Sequence, residues 1–128
     1  MIKKVAFFCI ICIASGNALA QTSITFNLNM KPMLEDSSFI PGKDLLKING
    51  NLYPLGRGKD KILKDRSPID SVYSVEISFP SRYEGEKLTY NFYIVKPKKT
   101  IREIRPRILV LSNRDTVLPP IIFNAFAW

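Results

Sequence analysis

Three acidic residues, Asp65, Asp70 and Glu76, come nearest to a catalytic set in this sequence. Two carboxylates flanking a bond can act as acid and base in hydrolysis. Here Asp65 and Asp70 fall in a turn and Glu76 on the outward face of a strand, with no spacing that ties them together. The chain has no histidine, and its two cysteines are Cys9 and Cys12, both near the start. Once that segment is removed, His/Cys zinc sites and devices built on a histidine base or a cysteine nucleophile are excluded. The expectation is a protein that is not an enzyme and uses no cofactor or metal.

Recognition chemistry is better represented. Lys96, Lys98, Lys99, Arg102, Arg105, Arg107 and Arg114 crowd the C-terminal third. They could form a patch for an acidic glycan or a phosphorylated surface, or a solvated set of turns and edge strands, where lysine blocks unwanted pairing. No aromatic residues interleave with them in the manner of nucleic-acid binders, so nucleic acid is not an expected partner. Tyr93 offers either a surface contact or sheet packing, Tyr83 lies in a turn without a special signal, and Trp128 is a terminal aromatic.

These side chains must be positioned by a domain that starts late. Lys3 and Lys4, an apolar run from Val5 to Ala14, and Ala18-Leu19-Ala20 before Gln21 read as a secretory signal peptide over residues 1–20. The run is about half the roughly 20 apolar residues that a membrane-spanning helix needs. The chain is therefore expected to be exported, to the periplasm or outside the cell. Of 128 residues, 108 remain as one domain, 21–128; without Lys3 and Lys4, 17 Lys and Arg against 11 Asp and Glu leave a net charge of +6. No disulfide can form there, so packing must supply the stability.

From Gln21 onward the sequence reads as strands. Ile24, Phe26, Leu28 and Met30 alternate with polar residues; so do Tyr73, Val75, Ile77 and Phe79, and Leu88, Tyr90, Phe92 and Ile94. Shorter strands are expected at 44–49, near 62–63, at 101–104 and 107–111, and from about Pro120 to Phe126, with a long loop over 50–61 and a connection over 31–43. Strand signals at spacings of roughly 8 to 15 residues, without a sustained helical period, imply an all-β, immunoglobulin-like two-sheet antiparallel sandwich of seven to eight strands. Phe26, Ile77, Tyr90 and Phe92 should share one core. The chain is too short for a membrane barrel of eight strands with loops.

The order of these segments carries a resemblance: Ile24 to Met30, Phe39-x-Pro-Gly-Lys-Asp44, Ile48-Asn49-Gly50, Asp70 to Ile77, Leu88-x-Tyr-x-Phe92, Glu103 to Arg107, and Leu118 to Asn124. Together they resemble the starch-binding domain, carbohydrate-binding module family 20, and related bacterial envelope modules. The resemblance implies a sandwich that binds α-glucan by stacking tryptophans on sugar faces, where a flat ring buries apolar C–H surface. The family's platform tryptophan falls on Gly58 or Leu55, its lysine on Asn91, and its second tryptophan near Arg102.

The expected function is non-catalytic binding of a polysaccharide or oligosaccharide at a sandwich end built from the 50–61 loop and the 91–105 region. Tyr53 would stack on the sugar, or else cover the end of the sandwich. Asn91, Arg102 and Glu103 would hydrogen-bond hydroxyls or an acidic group. With the platforms replaced and a basic surface, an acidic glycan is favoured over neutral α-glucan. The other reading is a sandwich module that docks another envelope protein, or itself, through an edge strand.

Overall fold

Alternating apolar side chains make β1 (Gln21–Asn29) two-faced: Thr22, Ile24, Phe26 and Leu28 are buried and the residues between them are not. In the computed structural model, which describes residues 21–56 and 59–126, β4 (Val72–Pro80) pairs antiparallel with β1 along its whole length, from Gln21↔Pro80 to Asn29↔Val72. That register sets Tyr73, Val75, Ile77 and Phe79 on the same inner face. Two short strands, β8 (Thr116–Val117) and β9 (Ile121–Ile122), lie parallel to β1 and complete this sheet.

The second sheet runs β3 (Lys61–Leu63), β2 (Leu45–Gly50), β5 (Lys87–Val95) and β6 (Thr100–Arg102). A further strand, β7 (Arg107–Val110), follows β6 along the same side of β5. The two sheets face each other as an all-β, immunoglobulin-like sandwich, and an isolated bridge between Lys64 and Ser74 ties β3 to β4 along one side. Phe26 from one sheet meets Tyr90 and Phe92 from the other, edge to face, at ring separations of 5.1 and 6.5 Å. With Ile77 they belong to one buried cluster, as the alternation implies.

Three departures from the sequence reading have local causes. The final strand does not run from Pro120 to Phe126: only Ile121–Ile122, β9, pairs there, and an unexpected short strand, β8, precedes it across Pro119 and Pro120. Neither proline has an N–H to give the β1 ladder. The connection after β1 holds one short helix, α1 (Lys31–Glu35), with proline in its first turn, where a missing N–H costs nothing. The edge between β6 and β7 bulges: Tyr93 pairs with Arg102 and Tyr90 with Arg107, so the four residues 103–106 span only positions 91 and 92 of β5. Residues 1–20, expected from the sequence to be a signal peptide, and Gly58 and Trp128 lie outside the described residues.

Candidate functional site

The loop after β2 is anchored before it is exposed. Asn51 clasps β5 from beyond the last strand pair: its N–H donates to Thr89 O at 3.1 Å, its Oδ1 accepts from Thr89 N at 2.8 Å, and its Nδ2 donates to Lys87 O at 3.4 Å. Leu55 turns inward and is fully buried, held by its N–H on Leu52 O at 2.8 Å. A side chain at Gly50 would meet Leu55, Leu88 and the Thr89 carbonyl at 3.1–3.2 Å, so the loop leaves the sheet where only glycine fits without displacement. Between these two anchors Tyr53 is pushed outward and is 59% exposed.

A second aromatic reaches the same place from the 3₁₀ turn Ser81–Tyr83 that follows β4. Tyr53, Asn51, Gly56 and Lys59 line one side of a concavity of about 550 Å³, which Arg82 and Tyr83 also line. The Arg82 guanidinium lies 4.8 Å from the centre of the Tyr83 ring. The site therefore combines two phenol rings, a guanidinium and an ammonium, and among the described residues no carboxylate lines it. Such a set can stack on an apolar ring face and hold an anion.

The other expected contact residues lie elsewhere. Asn91 is on the outer face of β5 and donates from Nδ2 to Arg105 O at 3.2 Å. Arg102, opposite Tyr93 in the ladder, lies 4.5 Å above the Tyr93 ring and covers it, leaving Tyr93 only 3% exposed. Asn51 is level with Thr89 and Arg102 with Tyr93, four residues further along β5, or roughly 13 Å at about 3.3 Å per residue. The structure thus does not bring Arg102 to the Tyr53 concavity.

Glu103 points inward, its side chain fully buried. Its carboxylate accepts Phe92 N at 3.3 Å, Asn124 N at 2.8 Å, and Arg107 Nε and Nη2 at 2.9 and 2.5 Å. Arg107 also donates to Ala125 O at 3.2 Å and lies 4.4 Å from the Phe126 ring centre. Glu103 therefore locks the bulged edge to the C-terminal segment and has no oxygen turned toward the concavity.

The three acidic residues weighed for hydrolysis are likewise apart in role. Asp65 accepts the N–H groups of Asp70 and Ser71 at 3.3 and 2.8 Å, and Asp70 accepts Val72 N at 3.0 Å; they shape the turn entering β4, where Ser71 has a φ of 72°. Glu76 is exposed on β4. Among the described residues no three His, Cys, Asp or Glu side chains group as a metal site.

Sequence reasoning missed Arg82 and Tyr83. The local signal was a turn and nothing more, because their nearness to residues 50–56 and Lys59 is created by long-range pairing. Compared with known proteins, the chain matches no family model and no curated protein.

Proposed function

We propose that this is an exported, non-catalytic carbohydrate-binding domain that takes an acidic glycan at the Tyr53 end of the sandwich. One observation carries the reading: exposed Tyr53 and half-buried Tyr83 line the same concavity as Arg82 and Lys59, with no carboxylate among these lining residues. Phenol rings offer stacking surface at small cost in conformational freedom. The two cations select for a uronate or a sulfated sugar. A neutral α-glucan would gain only stacking and hydrogen bonds that water replaces almost as well.

Calorimetry with hexagalacturonate and maltoheptaose at two salt concentrations tests this. Hexagalacturonate should bind more tightly, weaken as salt rises because exposed charges are screened over about 10 Å at 0.1 M, and lose about tenfold in Tyr53→Ala. Salt-insensitive maltoheptaose binding of equal strength would overturn the acidic preference. Binding unaffected by Tyr53→Ala would move the site.

The docking alternative rests on β7. Among the described residues its outer edge pairs with no strand, and Ile108 and Val110 are 64% and 56% exposed. Self-pairing there would appear as a dimer in sedimentation equilibrium, dissociated by Ile108→Lys; a monomer at high concentration would remove it.

A further inference from the structure

We infer that the opposite end of the sandwich holds a separate binding hollow for an anionic amphiphile, a phosphate or carboxylate carried on an aliphatic body. The strands β2 and β5 are antiparallel, so the residue before β2 and the residue after β5, Asp44 and Lys96, meet at the end away from Tyr53. From Thr89 to Lys96 is roughly 23 Å along the chain at about 3.3 Å per residue. The hollow does not depend on the carbohydrate reading.

Two self-bonded turns form it. In one, Lys43 and Asp44 donate their N–H groups to Ile40 O at 3.1 and 2.8 Å; in the other, Lys96 N donates to Lys99 O at 2.8 Å. The Asp44 carboxylate joins them, accepting Ile40 N at 2.9 Å and Lys96 Nζ at 2.7 Å. A space of about 420 Å³ lies between the turns, with Ile40 and Pro97 among its lining residues and Lys43, Lys98 and Lys99 around it.

The charge there is unbalanced. Among the described residues Asp44 is the only carboxylate lining the hollow, its side chain is 1% exposed, and it is already paired with Lys96. Among the described residues no carboxylate lies within ion-pair distance of Lys43, Lys98 or Lys99. Lysines that served only to keep an edge soluble would need no concave apolar floor, yet Ile40 stands 40% exposed within theirs. A bare inorganic anion would leave that floor in water, and a polyhydroxylated sugar would lose hydration against it without finding acceptors. An anionic head on an aliphatic body satisfies both features, because lysine stems pack on hydrocarbon while their ammonium groups hold the head.

The test uses hexyl phosphate, inorganic phosphate and hexyl glucoside, followed by amide chemical shifts in NMR titrations. Hexyl phosphate should bind at least tenfold more tightly than either partial mimic and shift the amides of residues 40–44 and 96–99. The Lys98→Gln/Lys99→Gln variant keeps much of the aliphatic stems and should melt like the parent. It should weaken hexyl phosphate roughly 25-fold, because a lysine beside an anionic surface contributes about a fivefold factor. Equal affinity for inorganic phosphate, shifts centred on residues 51–56, or unchanged binding in the variant would each overturn the inference. Co-sedimentation with phosphatidylglycerol vesicles then separates the sources. Pelleting that the variant abolishes identifies a lipid headgroup, and hexyl phosphate binding without pelleting identifies a free amphiphile.

Discussion

Replacing Glu103 should damage the fold far more than any sugar contact. In Glu103→Ala the N–H groups of Phe92 and Asn124 lose their carboxylate acceptor, and Arg107 keeps only the carbonyl oxygens of Ile122 and Ala125. A buried donor left unsatisfied costs about 1–3 kcal/mol, and removing one member of a buried ion pair about 3–5 kcal/mol. These are not additive, since water can enter at the partly open Arg107 side, 12% exposed. The expected loss is about 3–5 kcal/mol, a large part of the roughly 5–15 kcal/mol that holds a domain of this size together.

Urea unfolding at pH 7, followed by far-UV circular dichroism, measures this directly. Glu103→Gln should also be costly, because its amide nitrogen is a donor set among donors. The double variant Glu103→Leu/Arg107→Met should regain part of the loss, since an apolar pair removes the stranded charge, but not all, because Phe92 N and Asn124 N stay without their acceptor. If Glu103→Ala cost less than about 1 kcal/mol, the carboxylate would be solvated, and the case for Glu103 as a structural lock would fail.

Four further outcomes are expected. Phe92→Ala should cost about 3–5 kcal/mol in the same unfolding assay, because the ring is buried between Phe26 and Tyr90. Gly50→Ala should cost about 1–3 kcal/mol by crowding Leu55, Leu88 and the Thr89 carbonyl, and should shift Tyr53 resonances in NMR spectra by moving its anchor. Burial raises the pKa of Tyr90, with Arg107 opposing it and Glu103 adding to it; stability should be full below about pH 10 and fall as pH rises through the raised folded value. That alkaline decline should be shallower in Tyr90→Phe but not absent, since Tyr73 shifts the same way. The Lys96 hydrogen bond, the largest cause, holds the Asp44 pKa below its usual value, with the Ile40 N–H and the Lys43 charge acting the same way; this stability is present above about pH 4, is lost as pH falls through the folded value, and should shrink in acid titrations of Lys96→Met.

The sheets were legible in the sequence because each long strand buries one face. Once Phe26, Ile77 and Phe92 are assigned inward by alternation, their neighbours two positions away follow, and the register between β1 and β4 keeps that assignment over nine pairs. The final strand was not legible in the same way, because two prolines interrupt an apolar run that otherwise reads as continuous. Alternation also gives a face without saying what covers it. Tyr93 is on the outer face as its position implies, yet it is buried, because Arg102 from the neighbouring strand lies across the ring. For the site, Tyr53 could be picked out only because it lies in the loop where the resemblance to the starch-binding domain places a stacking platform. Its neighbours Arg82 and Tyr83 depend on where β4 ends against the start of β5, which no local pattern encodes.

The ends of this sandwich are better placed to bind than its flat outer face. On the outer face of the β2–β5 sheet, Arg102 is spent on Tyr93 and the amide of Asn91 on the Arg105 carbonyl. A ligand there would have to displace contacts the protein already makes. At the two ends the turns are fixed by backbone bonds and by Asn51 or Asp44. Arg82 leans on the Tyr83 ring and hydroxyl, while the Tyr53 ring and the ammonium groups of Lys43, Lys98 and Lys99 are held in place without an ion-pair or ring partner among the described residues. Preorganised groups whose partners are still missing are those from which binding gains most, because little ordering remains to be done. The chemistry differs between the ends: phenol rings beside Arg82 and Lys59 at one, and an aliphatic floor beneath Lys43, Lys98 and Lys99 at the other. Since about 23 Å of β5 separates them, substitutions at one end should leave binding at the other unchanged. A shared loss would mean that the two ends serve a single extended ligand.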